Sequence, residues 1–270
     1  MIYQATGKTP ADIQPVVDQF RRDISKGGGN NGDLPGPLPN GRREISGDDL
    51  AGKSAFPTPN LDISVRGTRW ATPGTGNFLL SVGPSRPDDP DRNFGNINPS
   101  YVTTFQPFES TRLIGVDGRF NWAMGFGFPG SEFRLDQHVG ISALGIIFTD
   151  VDVDHTAGIH IADGDLGTYF ASAAVGDGNL SFLGLRFEDG TLFNSASIFG
   201  GNFELSAFNM DGECRGLPLG RPGSRPCGLT TDVVAISKII FAEPVPEPSG
   251  IGLILLGLTF LVALRLRVGR

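Results

Sequence analysis

The chain has 270 residues, a formal net charge of −7 and 39% apolar residues, enough for one sizeable core or two small ones. The excess of acid over base excludes the basic face that a phosphate-tracking nucleic-acid binder requires. The 39 Gly and 20 Pro beside 20 Phe argue for short strands and many turns over long helices, and the glycines lack the three-residue period of collagen.

In chain order, Thr9-Pro10-Ala11-Asp12 reads as a helix start, with Thr as N-cap, Pro at the first position and an acid in the first turn. The helix is expected to reach about Ile24 and to bury Ile13, Val16, Val17 and Phe20, with Pro15 as a point of weakness. Residues 26–41 then read as a Gly/Pro loop. From Leu61 onward come short β-runs at 61–65, 78–82, 112–116, 120–128, 141–151, 158–162, 167–173, 180–187, 195–199, 203–208 and 233–241. Evenly spaced strands with turns between them predict an all-β fold, a two-sheet antiparallel β-sandwich of jelly-roll type, with a barrel as the alternative. The division expected is 1–41 for the helix and loop, 42–243 for the sandwich and 244–270 for a separate tail.

The run 144–155, LGIIFTDVDVDH, carries the one constellation that suggests a ligand. Counted by twos, Leu144, Ile146 and Phe148 share a strand face with Asp150, Asp152 and Asp154. Successive carboxylates on one face lie roughly 6.6 Å apart along the backbone, and a Ca²⁺ ion with oxygen ligands at about 2.4 Å relieves their repulsion. This is not an EF-hand loop, because the sixth position is His155 and the twelfth Ile161. A strand running out into a solvated acidic turn explains the same pattern, and both readings stand at this level.

Cys214 and Cys227 bracket a Gly/Pro-rich loop, and in an oxidising compartment they are expected to form a disulfide. Nucleophilic catalysis has no GxSxG elbow and no HExxH behind it. Two GxGxxG matches, at 27–32 and 125–130, lack the strand-then-helix context of a dinucleotide site. Trp122, in an apolar strand, is expected in the core. Trp70, beside Arg69 and a turn, is the surface candidate for stacking on a sugar.

The end of the chain, Gly250 to Leu264, is uncharged and without a polar face, so it reads as a membrane helix. Fifteen residues make about 23 Å of helix against a hydrocarbon core of about 30 Å, so the span is short. Arg265, Arg267 and Arg270 come after it and orient the C-terminus to the cytoplasm and the body to the outside. Pro246-Glu247-Pro248 precedes it. Pro-Glu-Pro, a short apolar helix and an arginine cluster at the C-terminus resemble the PEP-CTERM sorting signal. That resemblance implies processing by an exosortase, a membrane protease, and a destination at the cell surface or outside a Gram-negative envelope. Such tails also share a name with ice-binding proteins, but no regular Thr array of the kind ice binding needs occurs here. The body resembles a family of exported proteins with such tails in 41–46, 72–77, 94–101, 145–153, 180–187 and 231–244. It departs from the family pattern at Ser46-Gly47-Asp48 and at Ser237-Lys238. The opening MIYQATGKTPADIQ holds no signal-peptide run, so an upstream segment is expected to supply one.

The function expected is a non-enzymatic, exported β-sandwich of the cell surface or extracellular matrix. The alternatives are a Ca²⁺-dependent module that binds extracellular polysaccharide and, further off, a surface glycan hydrolase using a carboxylate pair.

Overall fold

The computed structural model describes residues 1–51, 63–72, 77–86, 88–117, 121–127, 139–163, 167–188, 190–207 and 231–246. The strands are β1 Ile2–Gly7, β2 Arg42–Ser46, β3 Ile63–Val65, β4 Thr68–Ala71, β5 Asn77–Leu80, β6 Ile114–Asp117, β7 Asn121–Phe126, β8 Val139–Gly140, β9 Ala143–Val151, β10 Ala157–Asp163, β11 Gly167–Ser172, β12 Gly176–Arg186, β13 Ser195–Gly200, β14 Ala235–Ala242 and β15 Val245–Pro246. Helix α1, Pro10–Ser25, lies between β1 and β2.

The strands form two antiparallel sheets, as the all-β reading expects. The larger has the order β1-β12-β9-β14-β6-β5, with β2 also on β14; the smaller runs β11-β10-β13-β7-β4-β3; β15 and β8 make a separate pair. The main core lies between the sheets. Leu144, Ile146 and Phe148 of β9 meet Trp122, Met124, Ile159 and Ile198 there. Trp70, Trp122 and Phe78 pack ring against ring, with centroids 4.8 to 5.7 Å apart.

Helix α1 covers the outer face of the larger sheet and builds a second core from Ile13, Val17, Phe20 and Ile24 against Ala143, Ile147, Phe182 and Ile240. Val16 is only partly buried beside them. The start is capped as read: Asp12 Oδ2 accepts from the Thr9 amide at 2.8 Å and the Thr9 hydroxyl at 2.9 Å. Pro15 stays within the helix on its exposed side, and Lys26 ends it in the left-handed conformation. A sheet buried on both faces needs apolar residues at successive positions, which explains why all nine residues of β9 are buried.

Segment 1–41 is therefore part of the sandwich: β1 pairs with β12 from Ile2↔Leu185 to Gly7↔Leu180. β1 escapes the pattern reading because it is an edge strand with Tyr3 as its one buried residue. The 26–41 loop is strapped to the body by a buried ion pair. Arg43 Nη2 lies 2.6 Å from Glu243 Oε1, Arg43 Nη1 donates to the carbonyls of Gly32 and Leu34, and Glu243 accepts from Asn31 Nδ2 and the Leu38 amide. The expected strand at 203–208 is corrected: Leu205–Ala207 is a single 3-10 turn. Its Leu205 is drawn into a third cluster with Phe94, Tyr101 and Phe105. Among the described residues no helix is long and apolar enough to cross a membrane. The apolar run 250–264 lies outside them.

Candidate metal centre

At the end of β9 the alternation breaks. Val151 opposes Gly176 and Thr149 opposes Leu180, so three residues of β12 face Asp150 alone. The surplus forms a bulge, and Asp150 adopts φ +67°, a left-handed conformation that Asp tolerates better than most residues. The change of parity puts Val151, not Asp150, into the core between the sheets. Gly178, at φ +60°, closes the bulge by donating its amide to Asp150 Oδ1 at 2.8 Å. Gln106 Nε2 holds the Gly178 carbonyl from the other side at 2.9 Å.

This geometry gathers Asp150 from β9, Asp152 from the turn after it and Asp177 from the bulge. One carboxylate oxygen of each lies within 4.8 Å of the others. Oxygens on opposite sides of a Ca²⁺ ion, each at about 2.4 Å, are about 4.8 Å apart, so the spacing fits one hard cation bound by oxygen. Asp150 is the inner donor, 6% exposed; Asp152 and Asp177 are exposed. Burial, with Asp152, Asp232 and Asp177 close by, pushes the Asp150 carboxyl up to about 8, against the Gly178 hydrogen bond. Burial also raises Asp152, to about 6, with Asp232 and Asp177 adding to it. Bound calcium would neutralise the repulsion that these shifts register.

Asp232 has a different task. Fully buried, it accepts from the amides of Asp152 at 3.1 Å and Val153 at 3.4 Å and from the Thr156 hydroxyl. Burial raises its pKa. It shapes the turn that presents Asp152.

Of the three aspartates read from the sequence, the fold brings Asp150 and Asp152 together and leaves Asp154 out. The Asp154 side chain is solvated and lies 3.3 Å from His155 Nε2. The bulge and the turn at 152–156 end the two-residue period on which its inclusion depended. Asp177 and Asp232 were not foreseen. The Asp-Gly-Asn at 177–179 is a turn signal, but nothing in the sequence says that this turn sits across from Asp150. His155 Nδ1 also meets the Ser172 hydroxyl at 2.7 Å. Asp154, His155 and Ser172 thus touch one after another, but the first two are chain neighbours standing in solvent, which suits a solvated contact better than an activated nucleophile.

Trp70 is corrected outright: it is 0% exposed. In β4, Thr68 and Trp70 point into the core, and the indole Nε1 donates to Thr68 Oγ1 at 2.8 Å. Trp122 is in the core as read. Another acidic stretch, Asp88-Asp89-Pro90-Asp91, is a capped turn, with Asp89 accepting from the Ser85 amide and hydroxyl. Of the two departures from the family pattern, Ser46 starts the short helical turn Gly47–Leu50, with its hydroxyl and amide on Asp49 Oδ2. Ser237 accepts from the Phe108 amide, and Lys238 pairs with Glu109 at 2.9 Å and lies 3.7 Å from Glu44. Pro246 lies in β15, opposite Val139. Cys214, Cys227, Glu247, Pro248, Arg265, Arg267 and Arg270 lie outside the described residues. No protein-family model, curated protein or solved structure matches this chain.

Proposed function

We propose that this chain is an exported β-sandwich protein that works without catalysis at the cell surface or in the extracellular matrix. Its Pro-Glu-Pro tail serves as a sorting signal, read and processed by an exosortase-type membrane protease. The observation that carries this reading is the order of Pro246-Glu247-Pro248, the uncharged run 250–264 and Arg265, Arg267 and Arg270 along the chain. Just before Glu247, β14 stops at Ala242, Glu243 is locked to Arg43, and Val245–Pro246 pairs with β8. Chain crossings between the sheets at β9 to β10, β11 to β12, β12 to β13 and β13 to β14 support the jelly-roll form. Calcium at Asp150, Asp152 and Asp177 is the cofactor of this reading, tying the β9 end to the β12 bulge.

Mass spectrometry of the protein recovered from the envelope and the medium of its host tests the sorting. The expected product ends within the tail and is found outside the inner membrane. A full-length product held in the inner membrane would sink the proposal. Calorimetric titration with Ca²⁺ tests the cofactor, and absence of binding by the wild type would remove calcium from the reading.

A further inference from the structure

Among the described residues, the smaller sheet packs into a hydrophobic cluster on one face only. Ala171, Ile159, Ile198 and Trp122 form its inward row in the main core. The register fixes the opposite row: Phe170 opposes His160, His160 opposes Ser197, and Ser197 opposes Ala123, while Phe199 opposes Asn121. Opposed residues of neighbouring strands share a face, so these side chains stand together on the outer surface.

Three features set this surface apart. It holds aromatic rings, with Phe170 44% exposed. Phe170 and Phe199 meet edge to face at 5.9 Å, and His160 meets Phe199 at 6.3 Å. It is nearly without charge, Arg69 beyond Gly125 being the one charged residue in the paired outward rows, on a chain with 22 basic and 29 acidic residues. The rings are also interleaved with polar groups. The side chains of His160, Ser197, Asn121 and Thr168 make no hydrogen bond to another described residue.

We infer that this face is a binding platform for a neutral glycan chain. Ring faces suit the CH faces of a sugar, and the free hydroxyl, amide and imidazole groups suit its hydroxyls. A dry, sheet-on-sheet contact with a second copy would bury those polar groups unpaired, a cost that a polyhydroxylated ligand does not carry. An acidic polysaccharide would approach a body of the same sign. The platform replaces Trp70 as the stacking site.

The full chain is titrated calorimetrically with cellohexaose, maltohexaose and an acidic oligogalacturonate. Saturable binding of a neutral probe is expected, weakened about tenfold or more by Phe170→Ala and unchanged by Leu34→Ala, a comparably exposed apolar residue elsewhere. The Phe170→Ala protein should keep its melting temperature and its sorting, so loss of glycan binding is distinguishable from failure of the export reading. The inference is overturned if neither neutral probe binds, if oligogalacturonate binds as tightly, or if Phe170→Ala changes nothing. It is equally overturned if sedimentation shows a dimer that Phe170→Ala dissolves.

Discussion

The Gly178 amide reaches across the β9–β12 bulge to the Asp150 carboxylate at 2.8 Å, and this hydrogen bond holds an otherwise repelled acid in place. It also sets a pH signature. With its carboxyl pushed up to about 8 from 3.8, the folded state holds a proton that the unfolded chain releases from about pH 4. In chelator, the Asp150 contribution to stability should therefore be full below about pH 4, be lost as the pH rises, and level off above about pH 8.

Melting curves in EDTA at pH 5 and pH 8 check this. The expected drop in Tm at pH 8 should be reversed by Ca²⁺, which does little at pH 5, where protons compete for the site. Asp150→Asn keeps an acceptor for Gly178 and tolerates the left-handed backbone. It should flatten the pH profile and abolish the Ca²⁺ response. A profile identical to wild type would refute the role given to Asp150.

Phe20 rests on a floor made of two paired glycines, Gly145 and Gly184. A Cβ at Gly145 would lie 2.6 Å from Phe20 Cε1, and one at Gly184 would lie 2.9 Å from Phe20 Cδ2. Gly145→Ala should destabilise by about 1–3 kcal/mol in urea unfolding. In a Phe20→Leu background the same change should cost clearly less, because the clash is with the ring. Equal costs in both backgrounds would show that the ring is not what demands glycine.

Arg43 is fully buried and depends on Glu243 for its counter-charge. Glu243→Gln should cost about 3–5 kcal/mol, since it strands a guanidinium away from water. The pair Arg43→Met with Glu243→Leu should cost less than the sum of the single changes. Hydrogen exchange in the 31–38 segment should rise in both, as the loop loses its anchors.

Glu109 is held down at about 2, first by its hydrogen bond from Arg21 and then by Lys238. Its folded pKa lies below the usual 4.5, so its contribution is present above that value and is lost as the pH falls toward 2. Glu109→Gln should lower Tm at pH 6 and make no difference at pH 2. An equal effect at both values would mean that the ion pairs do not act.

The all-β class, the position of most strands and the capped helix were legible in the residues alone. They rest on local chemistry: alternation along a strand, Thr9 and Asp12 at a helix start, Gly and Pro at turns. The acidic end of β9 was marked in the same way as the place to look. Edge strands such as β1 stayed silent because one buried Tyr makes no pattern. Which acids meet and which aromatics face water was settled only by the folding of distant segments onto one another. Asp177 joins Asp150 through a bulge that no two-residue count contains, and that same bulge sends Asp154 into solvent. Trp70 and Phe170 both sit in short strands, and which side of the sheet each faces depends on register with the strand beside it, β7 for Trp70 and β10 for Phe170. A one-residue difference in that register exchanges core for surface, and for that reason the stacking candidate moved from Trp70 to Phe170.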